Sequence, residues 1–180
     1  MINKIIFILI LFSIVSCAEI HGKEEPVSEF LLEFLGSERA EVISKSVRVR
    51  PLIVVSEQRG GAPVLLEAGP YYIQKTFSYL NRENYEAIRK IALDIDVYKN
   101  QRQYLLADRR TAESKMTYSL CMFEPEYAFE FEYKNKKDYF FISKDCGMLA
   151  HSFNGDFLSD FIDKGSKDYV EKTINRLFHP

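Results

Sequence analysis

Residues 126–143 constrain the fold of this chain more than any other segment. Aromatic residues occupy every second position over 127–133, with Ala128, Glu130 and Glu132 between them, which is the period of a β-strand. Asn135 and Lys136 can turn the chain, and the apolar residues 139–142 return it. The pattern predicts an aromatic hairpin over 126–143, in which the numbers of opposed residues sum to about 271.

One face of this hairpin would carry Tyr127, Phe129, Phe131 and Tyr133. Two roles compete for these rings: an exposed binding platform, or the sheet face that receives the helices. Four aromatic side chains in register bury several hundred Å², worth roughly 10 kcal/mol at about 25 cal/mol per Å². The core role is favoured because a domain of ordinary stability cannot easily leave that area in water.

Helices are predicted where apolar residues recur every three to four positions. The first spans Val27–Leu35, with Pro26 in the first turn and Gly36 as the stop. It could lie on a membrane surface or pack on the core, and its acidic polar face favours the core. The others cover 82–93 after the N-cap Asn81, 157–162 ended by Gly165, and the C-terminus after Ser166.

Further strands are predicted from β-branched runs and turn residues. They are 46–55, 64–66, 71–73 and 148–153. Pro51 would confine the first of them to a sheet edge or a bulge. Gln58–Pro63 is expected to be a loop, and Asn154-Gly155 a tight turn. The predicted class is therefore α+β: an antiparallel sheet built around the aromatic hairpin, with helices packed on one face.

The N-terminus has the pattern of an export signal. Lys4 precedes the apolar run Ile5–Phe12, which leads into Ile14-Val15-Ser16-Cys17. These four residues resemble the lipobox of bacterial lipoproteins, which implies cleavage before Cys17 and acylation of that residue. Two or three acyl chains give an effectively permanent anchor, whereas one does not. The alternative is an ordinary cleaved signal, or an uncleaved anchor helix that contains a cysteine.

The lipobox resemblance sets the expected organisation. Residues 1–16 would be the signal peptide, 17–25 a short tether, and 26–180 a single α+β domain. Ala18 follows the anchor cysteine, and in enterobacterial-type lipoproteins a residue other than aspartate there permits transfer to the outer membrane. We therefore expect a lipid-anchored envelope protein that faces the periplasm, with the outer membrane favoured.

The charge balance argues against a nucleic-acid partner. The whole chain has 24 basic and 26 acidic residues, and removing Lys4 with the signal leaves a net charge of about −3. Nucleic-acid binding needs a basic patch, because cationic side chains must displace the counterions of the phosphates.

Two cysteines remain once Cys17 is assigned to lipid. An even pair in an exported protein favours a disulfide between Cys121 and Cys146. Closing that loop would contribute roughly 3 to 3.5 kcal/mol in the chain-entropy model. The alternative is two buried thiols that behave as small hydrophobic groups. Direct cross-strand pairing is not predicted, but a bend at Glu124-Pro125 could bring the sulfurs together.

Motifs for chemistry are missing from the sequence. His21, His151 and His179 are far apart, and none has a second ligand at metal spacing, so no metal, cofactor or catalytic residue is predicted. A thiol site at Cys146 with His151 as its base is an alternative. Asp145 opposes thiolate formation there, and His151 is more typical of a strand or turn.

A further resemblance covers about residues 80–153. Cys121-x-x-x-Pro125, the aromatic strand that follows, and Lys144-Asp145-Cys146-Gly147 are similar to a layout found in small exported bacterial proteins. That group implies no established activity, cofactor or substrate, but it does imply that the two cysteines are neighbours. The functional expectation is a binding module held to the membrane by lipid, with another envelope protein as partner. The alternative is an exported thiol-dependent redox protein or enzyme using Cys121 and Cys146.

Overall fold

The fold is seen in a computed structural model that describes residues 26–56, 67–98, 123–143 and 145–178. The helices are α1 (Glu29–Leu35), α2 (Ser37–Lys45), α3 (Arg82–Ala92) and α4 (Lys167–Phe178), with a 3-10 turn at Ile95–Val97. The strands are β1 (Arg48–Val55), β2 (Glu67–Ala68), β3 (Tyr71–Thr76), β4 (Tyr127–Tyr133), β5 (Lys136–Ser143), β6 (Met148–Phe153) and β7 (Asp156–Phe161).

The seven strands form one antiparallel sheet in the order β2-β3-β1-β4-β5-β6-β7. The predicted α+β class and the antiparallel sheet are thereby confirmed. The sheet is strongly curled, because the rings of Tyr71 in β3 and Phe157 in β7 lie 6.2 Å apart although four strands separate them. The two faces of the curled sheet differ. Helices cover one of them, called here the helix-covered face, and the other is called the second face.

The helix-covered face holds the main hydrophobic core. Helices α1 to α4 pack there against inward side chains of the sheet, among them Phe129, Phe131 and Phe140, which are fully buried. Tyr127 and Tyr133 lie partly buried at its border. The second face has a smaller cluster, in which small residues such as Ala128 and Ala150 surround Phe141.

Strands β4 and β5 pair through a two-residue turn at Lys134 and Asn135. Both turn residues have positive φ, 49° and 64°, as a type I′ turn requires. The pairs run from Tyr133 opposite Lys136 to Tyr127 opposite Ile142. The predicted turn at Asn135-Lys136 was therefore wrong by one residue, because lysine gives no sequence indication of a left-handed conformation.

Helix α1 confirms the prediction for residues near 27–35. Its N-cap is Ser28, whose hydroxyl accepts a hydrogen bond from the Leu31 backbone N–H, and Gly36 follows its last residue with φ of 82°. Leu31 and Leu35 are buried in the main core. The helix therefore packs on the domain, which was the favoured alternative.

The other two long helices were also predicted correctly. Asn81 caps α3, since its side-chain oxygen accepts a hydrogen bond from the backbone N–H of Asn84. In α4, Val170 and Ile174 are buried, as the spacing of apolar residues indicated.

Of the two alternatives for Pro51, an edge or a bulge, strand β1 rules out the edge and has a register shift close to the proline. The strand lies inside the sheet between β3 and β4, and its register to β3 shifts between Ile53 and Val54. Pro51 is tolerated because its missing N–H points towards β3, whose ladder begins only at Leu52. The Pro51 carbonyl still accepts a hydrogen bond from Phe77.

The helix predicted over 157–162 is instead strand β7. The turn Asn154-Gly155, with φ of 50° and 82°, joins β6 to β7 as a tight hairpin. The apolar positions 157, 158, 161 and 162 fit a helical period, but hairpin pairing to β6 overrides that local pattern. Gly165 consequently ends no helix here.

Several sequence predictions lie outside the described residues. These are the signal, Cys17 and the tether, the loop Gln58–Pro63, the strand 64–66, and Cys121. Within the described part of the chain, no helix is both long and apolar enough to cross a membrane.

Gly69 makes the closest approach between the β2–β3 turn and the rest of the sheet. A Cβ added there would lie 2.2 Å from Ser152 Oγ and 2.6 Å from Ser152 Cβ, and its φ is +58°. We expect Gly69→Ala to lower the free energy of unfolding by about 2 to 5 kcal/mol through backbone strain and overpacking. Urea unfolding measures this. Gly155→Ala is the control, because its φ is +82° with no atom within 4 Å, and it should cost about 1 to 2 kcal/mol. Equal losses would contradict the close approach.

Candidate functional site

The helix-covered face contains a buried polar chain of four side chains, Arg39, Asp138, His151 and Tyr98. Arg39 Nε lies 3.4 Å from Asp138 Oδ1, and Asp138 Oδ2 lies 2.8 Å from His151 Nδ1. His151 Nε2 lies 2.9 Å from the Tyr98 hydroxyl, which donates a 2.7 Å hydrogen bond to the Ala92 carbonyl. Each of the four side chains is at most 2% exposed. The chain therefore runs through the protein interior.

Strand phase explains why these polar groups face inwards. Asp138 shares a face of β5 with Phe140 and Ile142, and it is paired with Phe153 of β6. His151 shares a face of β6 with Leu149 and Phe153, and its ring stacks on Phe140 at 4.8 Å. The sequence does contain an indication of these residues. Asp138 and His151 are polar, whereas the residues named with them on the same face of each strand are apolar.

Arg39 connects the chain to helix α2 and to the sheet edge. Its guanidinium also donates to the Leu35 carbonyl at 3.4 Å and forms an ion pair with Asp156 Oδ2 at 3.1 Å. Asp156 is exposed, whereas Asp138 is fully buried. One cation thus joins α1, α2, β5 and β7.

An Asp–His–hydroxyl series can move protons in enzymes. Catalysis requires that at least one group reaches a substrate, and all four groups here are buried. Buried charges that are paired and hydrogen-bonded fix one packing arrangement, and removing a partner is costly. The geometry therefore favours a structural role for the buried polar chain.

Tyr98 supplies a testable pH dependence. Burial, together with the charges of Asp138 and Asp160, raises the pKa of the Tyr98 hydroxyl well above its usual value. An unfolded tyrosine ionises near pH 10. The neutral folded form therefore contributes stability below about pH 10, and this contribution is lost as the pH rises further.

We expect Tyr98→Phe to lower the free energy of unfolding by about 1 to 3 kcal/mol at pH 7, because His151 and Ala92 each lose a partner. Above pH 10, the variant should lose stability with pH less steeply than the wild type. Urea unfolding from pH 7 to 11 tests both expectations. Tyr169→Phe changes an exposed ring and should stay within about 0.5 kcal/mol of the wild type. Parallel pH curves for the wild type and Tyr98→Phe would contradict the assignment.

The thiol-site alternative receives no support from His151. Both of its ring nitrogens are engaged, one by Asp138 and one by Tyr98. Cys146 lies in the turn between β5 and β6, beside Gly147 with φ of 59°. Because Cys121 is outside the described residues, its pairing with Cys146 stays a prediction. Within the described ranges, no group of three or more histidine, cysteine or acidic residues could hold a metal ion.

The second face carries an aromatic cluster, defined as Tyr71, Phe123, Tyr139, Phe141 and Phe157. Tyr71 is central, with ring centroids 5.0 Å from Phe141, 6.1 Å from Phe123 and 6.2 Å from Phe157. Phe123 and Phe141 also contact Phe157, at 6.0 and 6.2 Å. Among the described residues, the hydrophobic cluster on this face includes no helical residue.

Phe157 is the exposed member of the aromatic cluster. Its side chain is 37% exposed, and it is the one phenylalanine among the large exposed hydrophobic residues of the described chain. Phe141 beneath it is fully buried. An exposed aromatic ring supported by buried and partly buried aromatic neighbours is typical of an interface hot spot.

Charged residues border the aromatic cluster on the same face. Glu130 accepts hydrogen bonds from Lys137 at 2.9 Å and from Tyr139 at 3.3 Å. The bond from Lys137 raises the pKa of that amine, while burial and the Glu130 charge raise the pKa of Tyr139. Arg50 pairs across the strands with Glu130. The second face thus passes from an apolar end to a charged, internally paired end.

A depression between α3 and α4 forms a separate surface, away from the second face of the sheet. Its lining residues are Glu83, Ala87, Tyr169, Lys172, Thr173 and Arg176. Glu83 and Arg176 form an exposed ion pair at 3.4 Å, which contributes little energy. This surface resembles ordinary solvated helix faces more than a ligand site.

Comparisons with known proteins add no assignment to this geometry: no family model, no curated protein and no solved structure matches the chain.

Proposed function

We propose that this chain is a lipid-anchored protein of the bacterial cell envelope that binds another envelope protein through its second face. Exposed Phe157 within the aromatic cluster is the observation that carries the binding proposal. The partner would insert an apolar side chain beside Phe157, because aromatic and aliphatic anchors are what such surfaces bind. Among the described residues, His151 is held by Asp138 and Tyr98 and so does not support the thiol-dependent alternative.

The anchor proposal rests on Ile14-Val15-Ser16-Cys17 and on the apolar run before it. The packing of α1 supports a short tether, since Leu31 and Leu35 belong to the domain core. Nine residues, 17–25, would then span at most about 30 Å when extended. A binding face held so close to a membrane would meet other envelope proteins.

Globomycin blocks lipoprotein signal cleavage and tests the anchor. We expect the treated cells to accumulate a larger precursor, and we expect intact mass to show acylation at Cys17 in untreated cells. Cys17→Ser should also prevent cleavage, whereas Cys146→Ser should be processed normally. A mature protein that starts at another residue and carries no lipid would contradict the proposal.

Paired variants test the binding face. Phe157→Asp and Tyr169→Asp each place a charge at an aromatic position, 37% and 40% exposed, on different surfaces. After chemical crosslinking of intact cells, we expect Phe157→Asp to lose the partner adduct at least tenfold, whereas Tyr169→Asp retains it. The reverse result would move the binding site to the α3–α4 depression.

We also propose that the sheet is built around the aromatic hairpin, 126–143, with the helices packed on one face. This is supported by the position of β4 at the centre of the strand order and by the burial of Phe129 and Phe131 among helical residues.

For the cysteines we propose a disulfide between Cys121 and Cys146. Tyr127 and Ile142 form the pair at the open end of the hairpin. Cys121 lies six positions before Tyr127 and Cys146 four positions after Ile142, and this proximity supports the pairing.

A further inference from the structure

The hydrogen bonds of the buried polar chain can be counted proton by proton. The Tyr98 hydroxyl has one hydrogen, and the Ala92 carbonyl, 2.7 Å away, can only accept. That hydrogen therefore lies between Tyr98 and Ala92. The 2.9 Å contact between Tyr98 and His151 then requires His151 Nε2 to donate.

The other ring nitrogen of His151 faces an acceptor as well. Asp138 Oδ2 lies 2.8 Å from His151 Nδ1, and the Arg39 guanidinium lies 3.4 Å from the other carboxylate oxygen. A carboxylate beside a guanidinium accepts hydrogen bonds, so His151 Nδ1 must donate to it. A histidine that donates from both nitrogens is the imidazolium cation.

We propose that the buried polar chain is a proton-dependent lock, in which His151 is doubly protonated and joins Tyr98 to Asp138. If His151 loses the hydrogen on Nε2, the single hydrogen of Tyr98 can serve only one of its two contacts. The other contact, to Ala92 or to His151, then has two lone pairs facing each other. The chain would then open at Tyr98.

The charges that surround His151 fit this count. Asp138 faces it from β5, Arg39 adjoins Asp138 from α2, and Asp160 on β7 is close enough to Tyr98 to raise the pKa of its hydroxyl. Asp160 is 5% exposed, and Asp156 beyond Arg39 is exposed. Among the described residues near Tyr98, an imidazolium at His151 adds a second positive charge to that of Arg39, beside the negative charges of Asp138 and Asp160.

The lock predicts a direction for the pH dependence of stability. Unfolding breaks the contacts that hold this proton, so a fold that requires the proton becomes less stable as the pH rises. The folding equilibrium constant should therefore fall with increasing pH.

Nitrogen-15 NMR of the ring nitrogens tests the lock in the full-length protein in detergent micelles at pH 7.5. The His151 signals are assigned from their loss in His151→Gln. We expect both ring nitrogens of His151 to resonate in the protonated range and to couple to hydrogens. One protonated and one bare nitrogen would overturn the proposal.

Urea unfolding at pH 6, 7 and 8 gives a second readout. We expect the wild-type folding constant to fall with pH and that of His151→Gln to change at least threefold less over the same range. Should His151→Gln fail to fold, Tyr98→Phe replaces it, since it removes the acceptor of the Nε2 hydrogen. A wild-type stability that is flat over this range would overturn the lock.

Discussion

Asp138→Ala is expected to lower the free energy of unfolding by about 3 to 5 kcal/mol. The substitution removes the buried anion that lies between Arg39 and His151, at 3.4 and 2.8 Å. His151 Nδ1 would then lose its hydrogen-bond partner and Arg39 its buried counter-ion, and the cost of an uncompensated buried charge exceeds that of the lost contact. Because whole domains are stable by only about 5 to 15 kcal/mol, this loss removes a large fraction of the total stability.

Asp156→Ala is the matched control for this prediction. Asp156 pairs with the same arginine at 3.1 Å, but it is 70% exposed, and exposed ion pairs contribute about 0 to 1 kcal/mol. Urea unfolding of both variants at one pH gives the comparison. If Asp138→Ala were no more destabilising than Asp156→Ala, the buried polar chain would not have the structural role assigned to it.

Phe129→Ala is expected to cost about 3 to 5 kcal/mol. Phe129 is fully buried on the helix-covered face, and its ring lies 5.7 Å from that of Phe178 in α4. Truncation loses the burial of the ring and leaves a cavity between the central strand and the helix. Thermal and urea unfolding measure the loss.

The control for Phe129→Ala is Phe157→Ala on the second face. Phe157 is 37% exposed, so we expect a loss of about 1 kcal/mol or less. Unchanged melting of Phe129→Ala together with lost partner capture would contradict the core role and would make the helix-covered face the binding platform.

The sequence predicted those elements whose local chemistry agrees with the fold. Ser28 and Gly36 bound α1, Asn81 caps α3, and Asn154-Gly155 turns β6 into β7. Residues of this kind act through their own backbone conformation or through a neighbour three positions away, so the sequence alone reveals them.

Long-range pairing decided the elements that the sequence did not predict. The spacing near Phe157 and Phe161 fits a helix, but pairing with β6 makes this segment a strand. Pro51 lies in an interior strand because the N–H that it lacks would face the end of the ladder to β3. Neither outcome can be read from local spacing.

The candidate sites were the hardest to predict. Arg39, Tyr98, Asp138 and His151 come from four separate parts of the chain, and only the curled sheet with its helices brings them together. Polar residues at Asp138 and His151 do interrupt the apolar phases of β5 and β6, which is a usable indication. The spacing around Phe157 predicts a helix, so its place in the aromatic cluster could not be predicted.

Site-specific photocrosslinking in living cells tests the central claim most directly. A photoreactive phenylalanine derivative is placed at position 157 in one strain and at position 169 in another, two surface aromatic positions of similar exposure. We predict a discrete crosslinked species from position 157, lost when Cys17→Ser prevents anchoring, and none from position 169. No species from position 157, or the same species from both positions, would contradict a lipid-anchored protein that binds its partner through the second face.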